Sequence, residues 1–456
     1  MTESALELAE RALGDISGET QVTVMRERSL VSRFSRSRPT QATRVEDTTV
    51  AMLRVQDGHT GSAETNDLSD EGLHDVAARA DAGARAAARA AGARGEYPGL
   101  PEPEPVRAHD GYDAATAALD PGEAGAALRA AFEACAARGL EAFGIWTVGA
   151  VETAIASSAG VRASDAVTDA LMKVIARSER GRTGWAADAA VASSALDPAA
   201  IAARAVAKVA EGEPVAVSPG EYPVVLEPGA VQDVLDFLGA LAFNGLAHAE
   251  GRGALVGRLG TRVAAPAINL SDSTRFGRTL PRAFDMEGVP KRPIPLIQDG
   301  VAHRVVHDTR SAARAGGDAR STGHATAPGG SSFGPHPTNL VLIGGGAADE
   351  RELAAPIERG LYVTRFWYVN PVHPKQTLLT GMTRDGTFLI EDGAVTRPVR
   401  DVRFTDSALR ILEATEALSS APHLVPSGDF YGRRFATGVV CPALRASGFR
   451  ITGQTV

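Results

Sequence analysis

Apolar and polar positions divide the chain into two textures. The first ninety residues begin with a helical repeat over about 4–14. Alternating stretches follow, "QVTVMRERSL" (21–30), "LVSRFSRS" (30–37), "TTVAMLRVQDG" (48–58) and "HTGSAETN" (59–66), and then a second helical repeat over about 70–92. Period-2 alternation marks half-buried strands and period-3.6 recurrence marks amphipathic helices, so this region predicts a helix, an antiparallel meander and a covering helix. "GEYPGLPEPEPV" (95–106) is too rich in proline for helix or central strand and reads as a connector. Asp120, Pro121 and Glu123 have the pattern of a capping box opening the next helix. Two strand candidates at 141–160 and 160–178 and a helix over about 197–211 complete this half.

"EGEPVAVSPGEYP" (211–223) places three prolines in thirteen residues and marks the boundary. Beyond a short strand, Val231, Val234, Leu235, Leu238, Leu241 and Ala242 recur at helical spacing. From residue 260 the chain breaks into short strands punctuated by Gly and Pro, and Asp299-Gly300, Asp385-Gly386 and Asp392-Gly393 read as hairpin turns. The expected fold class is α+β. An N-terminal mixed α/β domain (1–218) carries the meander and its covering helices, and a predominantly antiparallel β domain (219–456) follows.

Composition narrows the function classes. The 456 residues are 44% hydrophobic and 22% charged, with a net charge of −8. No basic block is long enough to follow a phosphate backbone, which argues against nucleic acid as a partner. Two cysteines, Cys135 and Cys441, lack any metal or disulfide spacing. With neither an export signal nor an 18-residue apolar run, the expectation is a cytoplasmic chain with no membrane partner.

Candidate chemistry centres on histidines. His248 and Glu250 stand two apart, so on a helix they face different sides, and the pair reads as a solvent-facing helix end. His303 and His307 have i, i+4 spacing, but the run after Asp299-Gly300 alternates like a strand, where positions four apart are too distant to share an ion. His324 and His336 lie in a long Gly/Ser/Pro stretch, costly to order unless it packs on something, and His324 and Asn339 are candidates for substrate contact. No Walker loop, dinucleotide fingerprint or nucleophile elbow is present.

The strings "GRLGTRVAAP" (257–266), "FDMEGVPKRPIPLIQDG" (284–300), Asp308 and Arg310 before a small-residue helix, and "PTNLVLIGGG" (337–346) together resemble the TldD/PmbA family of metallopeptidases. The resemblance runs over nearly the whole chain. It implies a heterodimer of two homologous subunits: a TldD type, whose His-Glu-x-x-x-His helix and later Cys hold a metal, and a TldE (PmbA) type that lacks these ligands. Anchored on "GRLGTRVAAP", the motif positions here are Ala242, Phe243 and Ala247, and "LLTGMTRDGTFLIE" (378–391) contains Met382 but no Cys. A methyl group offers no lone pair to a metal, and a thioether is a poor substitute for a thiolate on Zn²⁺.

The resemblance therefore implies a subunit with no catalytic residue and no metal of its own, with Zn expected in a homologous TldD-like partner. Together they would trim small or unstructured peptides, with His248, Glu250, His307, His324 and Asn339 as candidate peptide contacts. Two alternatives stay open. One is a self-sufficient peptidase built on His303, His307 and His324 with a nearby carboxylate. The other is a non-proteolytic, homodimeric peptide-binding protein.

Overall fold

A computed structural model describes residues 3–14, 16–91, 95–427 and 432–454. The first half is one antiparallel sheet of six strands, β1 (Thr20–Ser35), β2 (Arg38–Gln56), β3 (His59–Thr65), β4 (Glu141–Ser157), β5 (Arg162–Arg177) and β6 (Thr183–Ala190), in spatial order β3-β2-β1-β4-β5-β6. The two stretches expected at 21–30 and 30–37 form the single long strand β1, because Ser29 and Leu30 stay in register with β2 and β4 without a break. β6 escapes the pattern, since "TGWAADAA" is mostly alanine and carries almost no alternation.

Helices cover one face of this sheet. The helix Ala5–Leu13 begins in a complete capping box formed by Ser4 and Glu7 and packs, together with Asp70–Ala91, on Val22, Val24, Val50, Met52, Ala154 and Ala156. Pro121–Ala136 and Pro198–Ala207 cover the other end over Val148, Met172, Val174 and Ala186. The expected capping box at Asp120 is only half made: its carboxylate accepts from the Gly122 amide, with no return bond from Glu123. Alternation sends the intervening positions of β1, β4 and β5 to the opposite face. Gln21, Thr23, Thr147, Thr153 and Asp169 lie there, polar yet buried, because the second half of the chain covers them.

That second half holds two further sheets around one large core. The sheet closest to the cleft has the order Val301–Ala302, Ile294–Gln298, Leu270–Asp272, Leu340–Leu342, Gly438–Cys441, His423–Pro426. In the other, Arg359–His373, Gly220–Leu226, Leu444–Gln454, Val402–Ser407 and Leu378–Glu391 follow one another, and the first and last of these also pair, closing a ring. The helix Pro228–Leu241 seals the core with Val231, Val234, Leu235 and Leu238. Among the named strands, Leu340–Leu342 runs parallel to Gly438–Cys441 and Arg359–His373 parallel to Gly220–Leu226.

Asp299-Gly300 and Asp392-Gly393 make hairpin turns, but Asp385-Gly386 does not. There Asp385 takes φ 56° inside a continuous strand, in a bulge opposite Thr364, and its carboxylate accepts from the Arg365 guanidinium. Among the described residues no helix is long and apolar enough to cross a membrane.

Candidate functional site

The motif positions come first. The helix Pro228–Leu241 ends at Ala242, and Asn244 caps the next helix, Gly245–Ala249, by accepting from the Ala247 amide. Ala242 and Phe243 are fully buried in the main core, and Ala247 is buried beside it. The residues at these positions do not fit a metal ion: none has a donor side chain, and all three face protein. Met382 lies on the strand Leu378–Glu391, opposite Trp367. Among the described residues no three His, Cys, Asp or Glu side chains are grouped to hold a metal.

The five candidate contact residues fall in two places. His248, His303 and His307 line an open surface pocket with Arg304, Arg314 and Arg320. The strand expected to carry both His303 and His307 stops at Ala302, so His303 leaves the sheet, while His307 immediately precedes Asp308, the cap of the helix Thr309–Ala315. Burial lowers the proton affinity of both His248 and His307, and His307 Nδ1 lies 3.2 Å from Ser311 Oγ. Glu250 turns aside to Arg252, 2.5 Å away.

His324 and Asn339 belong instead to the cleft between the first sheet and the second. His324 is 2% exposed, so the long Gly/Ser/Pro stretch is ordered here by an interior contact. Its Nε2 stands 3.1 Å from Asp272 Oδ1, and its Nδ1 is 3.0 Å from Thr322 Oγ1. Lys291 Nζ reaches Asp272 Oδ1 at 3.5 Å, Thr338 Oγ1 at 3.1 Å and the Gly323 carbonyl at 3.3 Å. The Asn339 amide donates to Asp272 Oδ2 at 2.7 Å, and Asn339 Nδ2 donates to the Leu280 carbonyl. Burial by itself would raise the Asp272 carboxyl, but Lys291, His324 and the Asn339 amide hold it below the usual carboxylate range. Burial and, after it, the Lys291 charge lower the proton affinity of His324.

Beside this network the turn 285–290 carries two more buried acids. Asp285 accepts from the amides of Glu287, Val289 and Ala325, which fixes the turn. Glu287 accepts from Thr309 through both its amide and its hydroxyl, and from the Tyr97 hydroxyl at 3.2 Å. Burial pushes the Glu287 carboxyl up, and the neighbouring Asp285 pushes it further. Tyr97 comes from the Pro-rich connector, so that segment is tied to the cleft.

The segment 432–437 crosses the polar face of the first sheet. Arg434, 1% exposed, donates to Asp169 at 2.6 and 2.8 Å and to Thr147 at 2.8 Å, and its amide donates to Glu27. Gly149 makes this possible, since a Cβ there would sit 2.4 Å from Arg434 Nε. Asp165 is engaged by His109 at 2.9 Å and by the Ala283 amide. Sequence reasoning held Asp285, Glu287 and Lys291 only inside the string 284–300, without a role, and missed Asp272, Arg282 and Arg434 altogether. Lone charges in short strands and loops carry no periodic signal, and what marks these three is burial.

Comparison with known proteins adds to this geometry. Residues 219–453 match the family model of the PmbA/TldA metallopeptidase C-terminal domain. A metalloprotease TldD homolog from Haemophilus influenzae is 25% identical over 249 residues, a match that spans 52% of this chain and 50% of that protein. The TldE crystal structure from Thermococcus kodakarensis superposes with a TM-score of 0.84 at 20% identity, covering 98% of this chain and 99% of that one. A proposed modulator of a DNA gyrase from Thermotoga maritima gives 0.81 at 18% identity, over 95% of this chain and 96% of its own. A proposed DNA gyrase modulator from Bacteroides thetaiotaomicron gives 0.79 at 19%, over 98% of each chain. At these identities the structures speak for a shared fold.

Proposed function

We propose that this chain, which belongs to the PmbA/TldD metallopeptidase family, is a TldE-type subunit that forms one wall of a peptide channel completed by a zinc-bearing, TldD-like partner. One observation carries this reading: at the positions where the family places its metal-binding helix, the side chains are Ala242, Phe243 and Ala247, carbon-only and packed into the core. A hydrolytic site cannot be assembled there without excavating that core. The metal and the bond-breaking step therefore belong to the partner.

What this chain contributes is shape and polarity. The polar face of β1, β4 and β5 packs toward the second half of the chain, and exposed strand edges can pair with an extended peptide through main-chain hydrogen bonds. Such binding tolerates varied side chains and excludes folded domains, which suits small or unstructured peptides as substrates.

The test is co-expression with a homologue that has an intact His-Glu-x-x-x-His helix, followed by metal analysis and peptide digestion on each chain and on the mixture. The expected result is a stable complex in which zinc follows the partner and only the mixture digests peptides. Stoichiometric zinc and hydrolysis in this chain alone would overturn the proposal.

A further inference from the structure

Arg282 is 8% exposed in the cleft, with its guanidinium carbon 3.7 Å from the centre of the Phe435 ring. Its Nε is buried with no acceptor, and among the described residues Arg282 has no ion-pair partner. The two carboxylates that act on it electrostatically are already committed, Asp169 to Arg434 and Asp165 to His109 and the Ala283 amide. A buried cation whose donors go unused carries the full desolvation penalty with no hydrogen-bond return. Arg282 borders a small cavity together with Lys291, Thr153, Thr338 and His324. Stacking on Phe435 occupies a face of the guanidinium and leaves its in-plane N–H groups, the edge that matches a carboxylate in two parallel bonds.

We propose that this cavity is a carboxylate-binding site, in which Arg282 receives a carboxylate of a peptide lying in the cleft and Lys291 adds a second positive charge close by. The choice of a peptide as occupant rests on the proposed channel role; the carboxylate chemistry rests on Arg282 alone. The carboxylate could be the C-terminus of the peptide or an acidic side chain, and the experiment separates the two.

The full chain is titrated calorimetrically with tri-alanine, with tri-alanine amide, with an amidated, acetylated Ala-Glu-Ala, and with inorganic phosphate. Tri-alanine is expected to bind at least about tenfold more tightly than its amide, because the amide leaves the buried guanidinium unpaired. Binding of the capped Ala-Glu-Ala as well would widen the site to acidic side chains, and its failure would restrict it to termini. Arg282→Met is expected to lose at least about tenfold in affinity for tri-alanine, and Arg282→Lys, which keeps the charge without the fork, less. Should Arg282→Met not fold, the lysine variant and competition by excess acetate against tri-alanine decide. Equal binding of acid and amide, no binding of any carboxylate probe, tighter binding of phosphate than of either acid, or full affinity in a folded Arg282→Met protein would overturn the proposal. The two proposals fail separately: carboxylate binding with no digestion by the subunit mixture removes only the channel role, whereas digestion indifferent to the C-terminal group and to Arg282 removes only this site.

Discussion

Two regions of similar depth are built in opposite ways. Around Ala242, Phe243 and Ala247 the chain fills its interior with carbon, whereas some residues away in the fold it buries Asp272, Asp285, Glu287, Lys291, His324 and Arg282 within one cleft. A carbon-filled site gains from the transfer of apolar surface and is insensitive to pH. The charged one must recover large desolvation costs through paired geometry, and among the described residues Arg282 is a cation there whose Nε has no acceptor. The comparison teaches that a carbon-filled helix end and a charged interior coexist in one fold. Polarity is retained in the cleft, the place where a bound peptide would be met.

The sharpest way to break this contrast is to place a charge in the apolar region. Phe243→Glu should destabilise the fold by about 5 kcal/mol or more, because it sets a carboxylate among the apolar side chains of the main core. Chemical denaturation would show it as a collapse of the midpoint. A milder effect, about 3–5 kcal/mol, is expected for Asp272→Ala, which removes the carboxylate beside Lys291 and His324 and leaves the Lys291 charge without its counter-charge. If Asp272→Ala melts like the wild type, the cleft network is not holding the two halves together.

The pH dependence of stability separates the two regions next. Glu287 has a raised carboxyl pKa in the folded state, so its contribution is complete below the unfolded value of about 4 and is lost as pH rises through the folded value. Asp272, held low, acts in the other direction: its contribution is present above the unfolded value and is lost as pH falls through the folded one. Glu287→Gln should therefore flatten the decline in stability on the neutral side while leaving the acid limb in place, as measured by unfolding midpoints across pH. A decline that persists unchanged in the variant would show that another group drives it. The smallest effect belongs to His248→Ala at the surface pocket, within about 0.5 kcal/mol and with digestion by the subunit mixture unaltered. Loss of digestion with normal assembly would move the functional surface to that pocket.

Much of the fold could be read from local pattern. The helices Ala5–Leu13 and Asp70–Ala91, the strands β1 to β5 and the helix Pro228–Leu241 all announce themselves by period, because apolar side chains recur on one face of each. β6 stayed hidden because alanine packs against a helix without producing contrast, and Asp385-Gly386 misled because the same dipeptide that turns a hairpin also accommodates a bulge. At the site, the carbon-only side chains of Ala242, Phe243 and Ala247 were legible as residue identities. The placement of His324 was not, since its neighbour Asp272 lies 52 positions away and joins it only through packing of the second sheet.

By itself, then, the sequence determined the local elements, the α+β class and the absence of donor side chains at Ala242, Phe243 and Ala247, because these depend on residue type and short-range spacing. Tertiary structure alone decided which charges are buried together, that Arg434 is satisfied by Asp169 while Arg282 is left facing a cavity, and that His248 and His324 serve different surroundings. The physical reason is that desolvation and pairing are set by contacts between distant segments, and no periodicity along the chain encodes them.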